Sequence, residues 1–127
     1  MKLTKNFSRQ EFDCTDGTIV PNEFMPNLIE LAKNLQALRD YLNEPVLITG
    51  SGYRTPSHNK KVGGAKLSQH LTASAADINV KSKTPYQLAK TIEVLIAKGI
   101  MKEGGIGTYK GFVHYDIFFD GKNKRRW

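Results

Sequence analysis

The sequence predicts an α+β fold in which a small antiparallel sheet packs against helices, and three observations carry that prediction. Leucines recur at helical spacing through residues 26–42. A capping box, Thr84-Pro85-Tyr86-Gln87, announces a second helix. The stretch GGIGTYKGFVHYDIFF, rich in β-branched and aromatic residues, reads as two strands joined by a tight Lys110-Gly111 turn.

Taken in order, the first helix runs from about Pro26 to Leu42. Pro26 suits its first turn, and Leu28, Leu31, Ala32, Leu35, Leu38 and Leu42 form an apolar stripe that faces a core. After Pro45, the run Val46-Leu47-Ile48 is bounded by breakers and reads as a short buried strand entering a Gly-rich turn. From Arg54 to Gln69 the residues are polar, basic and without period, broken by Pro56, Gly63 and Gly64. A surface loop carrying functional side chains is expected there. A second strand follows at about Ala76 to Val80. Thr84 then caps a helix whose stripe is Leu88, Ile92, Leu95 and Ile96, and Gly99 closes it. Nothing divides the sequence by repeat or linker, so residues 1–127 are expected to form one domain.

The formal net charge is +7, from 19 Lys and Arg against 12 Asp and Glu. Such a chain is drawn to anionic surfaces of several kinds, and charge alone does not choose among nucleic acid, anionic lipid and an anionic cell wall. A solvated basic surface without any ligand has the same composition. The single cysteine, Cys14, excludes a disulfide within the chain and reads as a buried spectator thiol. MKLTKNFSRQEF has no apolar run after its lysine, so neither a signal peptide nor a membrane span is expected. Synthesis in the cytoplasm follows from that reading.

The chemistry concentrates in SQHLTASAAD, where His70 and Asp77 stand seven residues apart, and in a distant strand that carries His114. Two imidazoles and a carboxylate are a catalytic zinc set, because catalytic zinc keeps a fourth position open, whereas closed structural sites favour thiolates. Alternation along a strand turns His114 and Asp116 to one face and Val113, Tyr115 and Ile117 to the other. Asp77 and Asn79 likewise share a face, opposite Ala76, Ile78 and Val80. Phe112 and Phe118 fall on the His114 face and are expected to wall an apolar pocket. Taken singly, each histidine of a small domain is more often a hydrogen-bonded or exposed residue than a ligand.

These residues carry a resemblance. SGYRTPSHNKKVGGAKLSQHLTASAAD, GGIGTY, FVHYD and the terminal RRW resemble the zinc D-Ala-D-Ala carboxypeptidase family of cell-wall peptidases, whose wider relatives include phage endolysins and hedgehog-like domains. The similarity runs from FSRQEFDC to Trp127. It implies a hedgehog/D-Ala-D-Ala-peptidase-like α+β fold, a zinc cofactor, and His70, Asp77 and His114 as metal ligands. It implies that Arg54 donates to a substrate carboxylate or a developing oxyanion, with a structural salt bridge as the alternative. Ser68 would orient a ligand. Many relatives have glycine where this chain has Ala73, a replacement that matters only if a positive φ is required. The glutamate or histidine that activates water in relatives is replaced here by Gly111 or Phe112. Asp116 is then the available general base, or else a support for a ligand, and Tyr109 is a donor to the oxyanion or a core residue. His58 falls on a variable position of the family's pattern and reads as solvent-exposed.

The implied activity is zinc-dependent hydrolysis of amide bonds in peptidoglycan stem peptides or cross-links by a monomer, with no nucleic-acid partner and no membrane insertion. Lys60, Lys61 and Lys66, with the run from Lys122 to Arg126, would hold the enzyme on an anionic wall. The lack of a signal peptide suits a phage or prophage lysis enzyme released by another protein. The alternative is a non-catalytic zinc-binding structural or binding domain of a phage particle.

Overall fold

The computed structural model describes all 127 residues. Helix α1 spans Met25–Leu42, strand β1 Leu47–Ile48, helix α2 Pro56–Lys61, strand β2 Ala75–Asn79, helix α3 Pro85–Ala97, strand β3 Ile106–Thr108 and strand β4 Val113–Asp116. The strands form one antiparallel sheet in the order β1-β2-β4-β3. The fold is α+β, as the sequence predicts.

Each helix forms for a local reason. In α3 the Thr84 hydroxyl accepts from the Gln87 backbone and the Gln87 side chain accepts from the Thr84 backbone N–H, so two otherwise unpaired donors are satisfied. Gly99, at φ +72°, turns the chain away just beyond the helix. Helix α1 buries Leu28, Leu31, Ala32, Leu35 and Leu38, and ends at Asn43 in a left-handed conformation. Leu88, Ala89, Ile92 and Leu95 of α3 and Ala76, Ile78, Val113 and Tyr115 of the sheet join the same apolar cluster, with Phe7, Phe12 and Val20 from the N-terminal segment.

The stretch expected to be a loop from Arg54 to Gln69 contains α2. Thr55 caps it, accepting from the His58 N–H, and Pro56 fills its first position. Only Asn59 of this helix is buried, so no hydrophobic period marks it in the sequence.

The last three residues add to the sheet as a further edge. The Ile106 N–H donates to the Arg125 carbonyl, Trp127 N–H to the Ile106 carbonyl and Thr108 N–H to the Trp127 carbonyl, which pairs this segment with β3 in parallel. It covers an edge that would otherwise expose unpaired backbone groups.

Candidate metal centre

Pairing of β2 with β4 sets Asp77 directly opposite His114, and pairing of β3 with β4 sets Gly107 on the other flank of His114. A one-residue slip would turn these side chains into the core, and that register is fixed by Ala76, Ile78, Val113 and Tyr115 on the buried face. His70 reaches the same place from a 3-10 turn, Gln69–Thr72, whose cap is the Ser68 hydroxyl accepting from the His70 N–H at 3.2 Å. All three side chains are buried.

The ring tautomers follow from what each outer nitrogen meets. Nδ1 of His70 lies 2.7 Å from the Gly52 carbonyl, which can only accept, so Nδ1 carries the proton and Nε2 presents its lone pair inward. Nε2 of His114 lies 2.7 Å from Oδ2 of Asp116 and donates to it, which leaves Nδ1 bare. His70 Nε2 and His114 Nδ1 stand 3.3 and 3.5 Å from the same oxygen, Asp77 Oδ1. Three lone-pair atoms therefore converge, the two imidazoles with their outer partners already in place, and this nitrogen-and-oxygen donor set could hold a metal ion and suits zinc.

With no ion between them the inner ring nitrogens can instead carry protons. Burial works against the ionised Asp77, but hydrogen bonds donated by His114 and His70 in that protonated state outweigh it and hold the carboxyl well below the usual range. For His114, burial disfavours the charged ring while Asp116 and Asp77 favour it, and the net shift is upward. Asp116, opposed by burial but held by His114, Arg125 and the Gly105 N–H, is also pushed well down.

Of the two roles left open for Asp116, base or support for a ligand, its surroundings favour support. It is fully buried, and its Oδ1 accepts from the Gly105 and Phe118 N–H groups and from Arg125 Nη1. Its Oδ2 accepts from His114 and from Arg125 Nη2 at 2.7 Å. It stands behind His114 and does not line the cleft. A Cβ on Gly105 would lie 2.4 Å from Asp116 Oδ2, so only glycine admits this approach.

The trio opens into a cleft of about 390 Å³. Arg54, Gly64, Leu67 and Ser68 line one side, and Tyr109, Phe112, Arg125 and Trp127 the other. Arg54 is steadied by Nε donating to Ser51 Oγ at 2.9 Å and Nη1 to Asn59 Oδ1 at 3.1 Å, with Nη2 3.6 Å from Asp77 Oδ2. Tyr109 is half-exposed and stacked on Phe112, so the core alternative for it does not hold. Phe118 does not share this wall: it is exposed, beneath the Arg125 guanidinium.

Three residues of the last segment have roles that sequence reasoning missed. Arg125 and Arg126, counted there as surface charge, are spent inside the molecule. Arg125 grips Asp116, and Arg126 pairs with Glu93 and Glu103. Trp127 packs 5.0 Å from the His114 ring and donates its indole N–H to the Tyr109 oxygen at 2.7 Å. A Cβ on Gly107 would lie 2.5 Å from that indole, so the glycines of GGIGTY, each admitting a close neighbour, are the signal that could have found it. His58 is half-buried rather than free, with Nε2 3.0 Å from the Thr15 hydroxyl.

No helix is long and apolar enough to cross a membrane. A search among curated proteins finds no match. A family model described as Peptidase M15 matches residues 4–116, which takes in Arg54, the trio and Asp116 and stops before Arg125.

Proposed function

The chain belongs to the peptidase M15 family, and on that premise we propose that it is a zinc peptidase hydrolysing amide bonds in peptidoglycan stem peptides or cross-links, with the ion held by His70, Asp77 and His114. Membership makes it a hydrolase of the cell-wall metallopeptidase type. The observation that supports the zinc reading is the convergence of His70 Nε2, His114 Nδ1 and Asp77 Oδ1, with each imidazole fixed by a partner behind it. Zinc bound there supplies a coordinated water of pKa near about 7 and polarises a carbonyl.

The chain's own residues do the rest. Arg54, with Nε and one Nη1 hydrogen engaged, keeps further N–H donors for a substrate carboxylate. An indole N–H can only donate, so the Tyr109 oxygen accepts from Trp127 and its own proton is free to reach a developing oxyanion. Asp116 positions His114 and takes no proton from water. Residues 1–127 act as one monomeric domain, in a phage or prophage setting where another protein releases it to the wall.

A second reading, a non-catalytic zinc-binding domain of a phage particle, is favoured by one observation. Outside the trio, the cleft is lined by no carboxylate or imidazole able to take a proton from water. Digestion of purified peptidoglycan, with fragments identified by mass spectrometry, decides between them. New peptide ends that vanish with a chelator and with His114→Ala support the enzyme; zinc binding with no new ends supports the second reading.

A further inference from the structure

A second group of ligand-type side chains lies away from the cleft, and it holds the chain's only cysteine. Cys14 and Asp16 come from a tight turn in which the Cys14 N–H donates to the Thr18 carbonyl and the Gly17 N–H to the Cys14 carbonyl, with Gly17 at φ +96°. His58 comes from α2. One ligand atom from each of the three lies within 4.8 Å of the others. Around a tetrahedral zinc with bonds of 2.0–2.3 Å, one sulfur and two nitrogen or oxygen ligands stand about 3.4–3.6 Å apart, so closure by up to about 1.4 Å brings all three into contact with one ion.

The two halves are already registered on each other. Thr55, which caps α2 through its hydroxyl oxygen, donates the hydroxyl proton to Asp16 Oδ2 at 2.8 Å, and the Asp16 Oδ1 accepts from the Thr18 N–H. Each carboxylate oxygen retains a lone pair, and the Thr15 hydroxyl sits beside His58 Nε2. The Cys14 residue is 3% exposed, with a carboxylate and an imidazole as its neighbouring ligand groups.

We propose that Cys14, Asp16 and His58 form a second metal site, selective through its thiolate for a borderline divalent ion of the zinc class, that ties the N-terminal turn to α2. The donor set differs in kind from the cleft trio, since a sulfur ligand favours structural over catalytic zinc chemistry. Its effect passes to the cleft through α2, where Asn59 accepts from Arg54 and donates to the Ala65 carbonyl at 2.9 Å. An ion at Cys14 therefore stiffens the side of the cleft that carries Arg54.

Cobalt titration of the reduced full chain tests this independently of the cleft, because only Cys14 can give a sulfur-to-metal charge-transfer band. The wild-type protein and His114→Ala should both show the band, and Cys14→Ser should lose it. His58→Ala, at a half-exposed position that folding tolerates, should weaken the affinity read from the band by at least about tenfold. A wild-type titration without the band overturns the site. So does a band of undiminished affinity in His58→Ala, since the cysteine would then bind cobalt without the cluster. Loss of the ligand-field bands of a nitrogen-and-oxygen site in His114→Ala reports separately on the cleft.

Discussion

His114 is held from both sides by carboxylates that do different work. Asp77 faces its bare nitrogen, and Asp116, itself locked by Arg125, takes its proton. Replacing Asp116 with Asn removes the charge that fixes the tautomer while keeping the shape. Zinc affinity, measured by competition with a chelator, should fall about 10–100-fold with the fold retained. Tyr109→Phe should instead leave zinc content unchanged and lower kcat by about 10²–10³-fold in a peptide-release assay, the usual cost of losing one oxyanion donor. At this scale the sequence was informative about which side chains gather and less so about what each does. Asp77 and His114 are legible because alternation along strands is a local rule, whereas His70 lies on a 3-10 turn and is picked out by its residue type and the motif around it. The role of Asp116 is not, because it depends on Arg125, which arrives from a distant segment. Ala73 adds a finer point: it sits at φ +58°, so a conformation that glycine adopts freely is borne here by an alanine. Left-handed strain of about 1–2 kcal/mol is roughly matched by its buried methyl, worth about 0.8 kcal/mol, together with the reduced freedom of the unfolded chain.

Among the elements, α3 is the most legible and α2 the least. A capping box is written in four consecutive residues, whereas α2 buries only Asn59 and leaves periodicity nothing to record. The C-terminal segment is legible only as charge, and its pairing with β3 is non-local. Arg126 anchors that segment to α3 through Glu93, at 2.8 and 2.9 Å. Hydrogen bonding from Arg126, with burial opposing, lowers the Glu93 carboxyl below its ordinary 4.5. A carboxylate whose folded value is depressed stabilises above its unfolded value and ceases to do so as pH falls through the folded one. Thermal melts of Glu93→Gln should accordingly lie below wild type near neutral pH, by the equivalent of about 0.2–1 kcal/mol for a partly exposed pair, and the two curves should meet in acid.

For the molecule as a whole, a charge of +7 acts at a distance that salt controls. Lys60, Lys61, Lys66, Lys122 and Lys124 are exposed, whereas Arg125 and Arg126 are committed internally, so the lysines carry the long-range attraction. Binding to cell-wall sacculi, measured by co-sedimentation, should weaken as the screening length falls from about 30 Å at 0.01 M salt to about 8 Å at 0.15 M. Catalysis on a small neutral-backbone peptide should change far less over that range.

The three-residue edge strand also bears on time. Short edges at a sheet's margin open far more often than the sheet unfolds. Each such opening frees Trp127 from the His114 ring and draws Arg125 away from Asp116, so the clamp behind one imidazole loosens while the core stays shut. The lifetime of an ion held by His114 would then be set by local opening of this edge and not by global unfolding. Exchange of that ion would be rapid compared with the turnover of the fold that holds it.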